Sequence, residues 1–115
     1  MEAKKKYFMD CNLAGLQYHE ACEVWDNLKV GTVLKLVRDT NNNYDHDAVA
    51  MVYEDTEIKD EFCVGYIPRR ENKDLAAFLD MGWTDIFECR INKINEKAHP
   101  EQQIYLTIKI KKKTS

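Results

Sequence analysis

Ile104-Tyr105-Leu106-Thr107-Ile108-Lys109-Ile110 is the stretch that decides the fold class. Aliphatic residues take every second position and polar or amphipathic ones the positions between. That period of two sets one face of a β-strand on a core and the other in water. Phe87, Cys89 and Ile91 alternate in the same way with Glu88, Arg90 and Asn92, and the polar segment Asn95 to Pro100 separates the two runs. Two half-buried strands joined by such a segment predict an antiparallel hairpin with a longer loop.

Working outward, Thr32 to Arg38, Ala48 to Tyr53 and Phe62 to Ile67 are short runs rich in β-branched or aromatic residues. They are bounded by Gly31, an asparagine cluster, an acidic loop and Pro68, so each predicts a strand. Lys6 to Leu13 adds a strand of weaker alternation. Asn72 to Met81 breaks the pattern: Leu75, Phe78 and Leu79 share a helical face, Asn72 is placed as N-cap and Gly82 as the stop. His19 to Leu28 reads as a second short helix, although a strand would also fit. The expected fold is therefore mainly β, a small OB-like or SH3-like β-barrel of about six strands with two short helices, closure removing edges that would otherwise be exposed.

The chain has 115 residues, room for one domain and one modest core. Hydrophobic residues make up 44% and charged ones 32%, the balance of a globular protein. The reading is a single domain over residues 1–115, with a core from about 7 to 110 and a flexible basic tail from 111 to 115. No apolar run reaches the roughly twenty residues of a membrane helix, so a cytoplasmic monomer is expected. A net charge of −3 argues against a protein that grips long duplex DNA by neutralising many phosphates. The basic residues cluster nonetheless, at Lys4 to Lys6, Arg69 with Arg70, and Lys109 with Lys111 to Lys113.

The search for chemistry leaves little. Cys11, Cys22, Cys63 and Cys89 form no CxxC pair, and His19 with Cys22 lacks a second close pair, so no zinc site is expected. Asp39 to Asp45 begins like a calcium loop but has Tyr44 where glycine is needed and Ala50 where a bidentate glutamate belongs. There is no GxSxG elbow, no activated-thiol motif and no glycine-rich phosphate loop. No cofactor is expected, and a binding protein is favoured over an enzyme.

Two constellations remain at strand ends. Asn41-Asn42-Asn43-Tyr44-Asp45-His46-Asp47 suits an Asx turn, and the same turn would present Tyr44 as a stacking face with Asn42 and Asp45 as hydrogen-bonding groups. Val64-Gly65-Tyr66-Ile67-Pro68-Arg69-Arg70 is a strand that stops at proline with two guanidinium groups beyond it. Those groups read either as solvated arginines or as a phosphate contact.

With Gly15-Leu16-Gln17-Tyr18, the strand from Gly31 through Leu36 and Arg38, Asn42 to Asp45 followed by Ala48-Val49, and the helix at Leu75, these pieces resemble the HIRAN domain family in order. The resemblance covers about Tyr7 to Ile110. That family occurs free-standing in bacteria and on SWI/SNF-type DNA remodelling ATPases in eukaryotes, and the resemblance implies an OB-like barrel that captures the 3′ end of single-stranded DNA. It implies Tyr18 and Tyr44 stacking on the terminal base and Asp45 accepting a hydrogen bond from the 3′ hydroxyl. Asn42 would support base or sugar, with Tyr66 and Arg69 facing the terminal phosphates. Gln17 completes the implied DNA-binding set, but stands where the DNA-binding relatives carry arginine, and Asn43 stands where proline is usual. DNA repair or the processing of stalled forks, beside a DNA-processing protein, is the implied setting. A peptide-binding barrel and a hydrolase or nuclease with an unrecognised site are the alternatives to be separated.

Overall fold

The structure is a computed structural model and describes residues 4–16 and 20–112. The strands are β1 (Lys5–Asn12), β2 (Val33–Arg38), β3 (Val49–Asp55), β4 (Asp60–Tyr66), β5 (Phe87–Ile94) and β6 (Ile104–Lys111), with helix α1 (Lys73–Asp80) between β4 and β5. All pair antiparallel in one sheet of order β1-β6-β5-β2-β3-β4. The alternation in β6 does what it predicts: Ile104, Leu106 and Ile108 are fully buried, while Tyr105, Thr107 and Lys109 are not. Register breaks between Tyr7 and Met9, Met51 and Val52, and Ile91 and Lys93 bend three strands, because an unmatched residue sharpens local twist. The sheet curls around a core that also takes Leu75, Ala76 and Leu79 from α1.

The curl stops short of a barrel. Past the end of β1, the chain touches β4 at one bridge, where Ala14 and Tyr66 exchange N–H to O bonds of 2.8 Å each. The turn Glu20–Glu23 also packs against β4, so part of the edge that closure was expected to remove is covered by an intervening segment, while Asp60 and Glu61 at the start of β4 stay exposed.

The second expected helix is also replaced. Over Glu20–Glu23 and Trp25–Asn27 the chain forms two tight 3-10 turns, with Val24, Asn27 and Leu28 donating to carbonyls three residues back. Ala21, Val24 and Leu28 enter the core, whereas Cys22 is exposed. His19 lies outside the described residues. Lys111, placed in the tail by the sequence, belongs to β6, and the Lys112 N–H donates to the Lys4 carbonyl at 2.8 Å. Among the described residues no helix is long and apolar enough to cross a membrane.

Helix α1 is fixed through its C-terminal half. Phe78 meets Phe8 of β1 and Phe87 of β5 edge to face, with ring centroids 6.3 and 5.8 Å apart, and so pins the helix over the sheet. Its stop is a Schellman motif: Trp83 N–H bonds the Phe78 carbonyl, Gly82 N–H bonds that of Leu79, and Gly82 takes φ +90°. Burial pushes the Cys11 thiol up to about 12 and raises Cys89 as well, so both are inert apolar fillers.

On the outer face, Glu88 accepts from Lys5 Nζ at 2.6 Å and from Arg90 Nε at 2.7 Å. The Lys5 hydrogen bond holds its carboxyl below the ordinary 4.5 against the opposing effect of burial, with Arg90 adding to the lowering. A carboxyl depressed by folding contributes stability that is complete above its unfolded pKa and is lost as pH falls through the folded one. Glu88→Gln should therefore cost about 1 kcal/mol at neutral pH in urea denaturation, and the gap to wild type should close as pH drops below 4.5. A loss that is the same at every pH would make Glu88 a packing residue instead.

Candidate functional site

The loop from Asp39 to Ala48 joins β2 to β3, and its own side chains build it. Asp39 Oδ1 accepts from Asn41 N–H, Asn42 Oδ1 from Tyr44 and Asp45 N–H, and Asp45 Oδ1 from Asp47 N–H, at 2.9 to 3.2 Å. Three acceptors spaced three residues apart thus form successive Asx turns. The Asx turn expected at Asn42 is present and is extended on both sides.

Three contacts with distant residues then lock the loop to the body. Tyr66 Oη donates to Asp39 Oδ2 at 2.6 Å, Asn72 Nδ2 donates to Asp45 Oδ2 at 2.7 Å, and Arg38 grips Asp80 through Nε at 2.8 Å and Nη2 at 3.3 Å. Arg38 also donates to the carbonyls of Ala48 and His46. The Asp80 hydrogen bond, followed by the charges of Asp80, Asp47 and Asp45, raises its pKa further and outweighs the cost of burial. One guanidinium therefore ties β2, the loop and the end of α1 together. Burial, followed by the Asp39 hydrogen bond, raises the pKa of the Tyr66 phenol, so it remains a donor to that carboxylate.

Asn72 holds the expected N-cap position, its carbonyl accepting from Ala76 N–H at 2.8 Å, but its side chain does not cap. It follows the 3-10 turn Arg69–Glu71, has near-helical angles (φ −95°, ψ −13°) and makes no side-chain cap bond. Its side chain, 1% exposed, is committed to Asp45 instead. Sequence reasoning missed this contact, and it missed the Arg38–Asp80 and Tyr66–Asp39 contacts too. The sequence signal for all three was a polar residue bordering a predicted element.

Tyr44 stands 89% exposed at the tip of this braced loop. Asn42 spends its carbonyl on the turn, while its NH2 has no partner among the described residues. Asp45 has one bond on each oxygen, which leaves it lone pairs as an acceptor. Arg69 and Arg70 are exposed in the turn one step before Asn72 and form no ion pair among the described residues. The bonds thus hold Asn42, Tyr44, Asp45 and Tyr66 in one braced unit, and Arg69 is tied to it only through the chain, three residues before Asn72. Gln17 and Tyr18 lie outside the described residues. The chain leads toward them through Ala14, bridged to Tyr66, and through Gly15, whose N–H donates to the Glu101 carboxylate at 3.2 Å.

A family model for the HIRAN domain matches residues 6–113. The Fanconi-associated nuclease 1 homolog of Oryza sativa subsp. japonica is 30% identical over 103 residues, which is 90% of this chain and 9% of that protein. This chain therefore spans less than a tenth of that relative. Among solved structures, a protein from Lactobacillus plantarum superposes with a TM-score of 0.75 at 19% identity, covering 95% of this chain and 97% of that one. The HIRAN domain of human HLTF superposes with a TM-score of 0.62 at 17% identity, covering 92% and 78% respectively. At such identities these two likenesses concern the fold. The family model, matched over nearly the whole chain, makes this protein a member of the HIRAN domain family.

Proposed function

We propose that this HIRAN domain is a non-catalytic module that binds nucleic acid and captures the 3′ end of single-stranded DNA. The observation that carries the reading is Tyr44, an almost wholly exposed ring on a loop that three successive Asx turns and three long-range contacts make rigid. A ring carried on a braced backbone has only its own side-chain torsions to order when a base stacks on it, and stacking accepts any base. Membership in the family and a relative named as a nuclease homolog support DNA as the ligand class.

In this reading Tyr44 and Tyr18 hold the terminal base, and Asn42 uses its NH2 on base or sugar. Asp45 accepts from the 3′ hydroxyl through a lone pair left over from its loop bonds. Arg69 faces the terminal phosphates, and Gln17 lines the same side with less attraction than a cation would give. Tyr66 contributes its ring while its hydroxyl stays on Asp39. A carboxylate beside a continuing phosphodiester would meet a negative charge with nothing to donate, so Asp45 selects for a free end. The setting proposed is DNA repair, with the domain acting as a cytoplasmic monomer beside a DNA-processing protein.

Fluorescence anisotropy with short single strands ending in a 3′ hydroxyl or a 3′ phosphate tests this directly. The hydroxyl end should bind at least about tenfold more tightly, the equivalent of about 1.4 kcal/mol. Equal affinity for the two ends, or binding to neither, overturns it.

A further inference from the structure

The far end of the β1–β6 pair gathers lysines in a way that folding does not require. Antiparallel pairing sets Lys5 directly across from Lys111 and Lys6 across from Ile110, and Lys112 is hydrogen-bonded to the Lys4 backbone. Lys4, Lys6, Lys111 and Lys112 surround Ile110 in one shallow cleft, and Lys109 projects from the adjoining outer face. Like charges facing one another across a ladder are destabilising. Among the described residues, only Lys5 of these six lysines has an ion pair, to Glu88.

Glu88, across from Lys109, and Asp85 are the acids beside this end, and the densest acidic run lies in another part of the sheet. In the β3–β4 hairpin, Glu54 faces Glu61 and Asp55 faces Asp60. The overall charge of −3 is thus separated into a basic end on one side of the sheet and an acidic hairpin on the other, an arrangement that orients an approaching polyanion toward the lysines. Lysines are compact, hydrated point charges without the fixed fork of arginine, which suits a flexible chain of phosphates held in no particular register.

We infer that the Lys4, Lys6, Lys111 and Lys112 cluster is a second contact for the strand whose 3′ end sits at Tyr44, a phosphate track at the opposite end of β1. This rests on the 3′-end reading for the identity of the strand. Nine residues of extended chain separate Lys5 from Ala14, roughly 30 Å at 3.2–3.4 Å per residue. A stacked strand rising about 3.4 Å per nucleotide covers that with about nine nucleotides. A short oligonucleotide therefore occupies the Tyr44 loop alone, and a longer one reaches the lysines.

The test titrates the intact chain with labelled single strands of about four and about sixteen nucleotides, the range of site sizes for one small barrel, over a series of salt concentrations. The longer strand should bind at least about tenfold more tightly, with a log affinity against log salt slope steeper by about 2–3, as expected if about four lysines each meet a phosphate. A combined Lys4→Gln, Lys6→Gln, Lys111→Gln and Lys112→Gln variant should lose both differences yet bind the short strand as wild type does, which also shows that it is folded. Equal affinities for the two lengths, or a variant that keeps the wild-type length and salt dependence, overturns the track and leaves the 3′-end reading standing. Binding of only the long strand, lost in the variant, supports the track and removes the 3′-end reading. Capture of phosphatidylserine vesicles without any effect of DNA length overturns the track in favour of a membrane surface.

Discussion

Tyr44→Ala should weaken binding of a 3′-hydroxyl single strand by at least about tenfold and leave the thermal midpoint unchanged. The two halves of this expectation have separate causes. Stacking on an aromatic ring contributes about 1–3 kcal/mol per base, so losing it costs roughly five- to 150-fold in affinity. Stability should not move, because the ring is 89% exposed and supports nothing. The loop is held by the Tyr44 backbone N–H on Asn42 and by the Asp45–Asn72 and Arg38–Asp80 contacts, all of which alanine retains. An exposed substitution of this kind ordinarily changes stability by less than about 0.5 kcal/mol. Tyr44→Phe should bind like wild type, since stacking needs the π-face and not the hydroxyl. Anisotropy and thermal melts read the two halves independently. Unchanged affinity in Tyr44→Ala would remove the ring from the site, and a lowered midpoint would make it a structural residue.

The parts legible in the sequence are those set by local periodicity. Alternation placed β6 and β5 because the buried face of a strand repeats every second residue, and Thr32 to Arg38 predicted β2, observed as Val33–Arg38. Leu75, Phe78 and Leu79 placed α1, although Phe78 is buried only in part and meets its aromatic partners at the edge of the core. The illegible parts depend on residues brought together from far along the chain. An asparagine before a helix ordinarily caps it, but capping needs extended backbone angles. The turn at Arg69–Glu71 holds Asn72 near the helical region, so its amide turns to Asp45, 27 positions away. Arg38 read as the end of a strand, and its partner Asp80 lies 42 positions on, at the end of α1. The candidate residues Tyr44 and Asp45 leave no periodic trace, since one is an exposed ring and the other a loop brace, and they were singled out only by the composition of the turn and by the family resemblance.

Gly65→Ala should destabilise the fold by about 2–6 kcal/mol, an unusually large effect for a single methyl group. A Cβ built at Gly65 would lie 2.6 Å from the Ala14 carbonyl oxygen and 2.8 Å from the Leu13 side chain. Neither neighbour can easily yield. Leu13 is fully buried, and the Ala14 oxygen accepts from Tyr66 N–H in the bridge where the end of β1 meets β4. Relieving the overlap means overpacking the core, at about 1–3 kcal/mol, and breaking the two bridge hydrogen bonds, at about 0.5–1.5 kcal/mol each. For a chain of this size the midpoint should fall by on the order of 10–20 °C. Because the bridge is also the point from which Gly15 and Leu16 lead toward Gln17 and Tyr18, the folded fraction of Gly65→Ala should bind 3′ ends less tightly than wild type. The pattern is the reverse of that for Tyr44→Ala, which loses binding alone. Urea denaturation with a midpoint close to wild type would mean that β4 slides away from Ala14 at little cost, and that the glycine in Val64-Gly65-Tyr66 is not required by the close approach of the two chains.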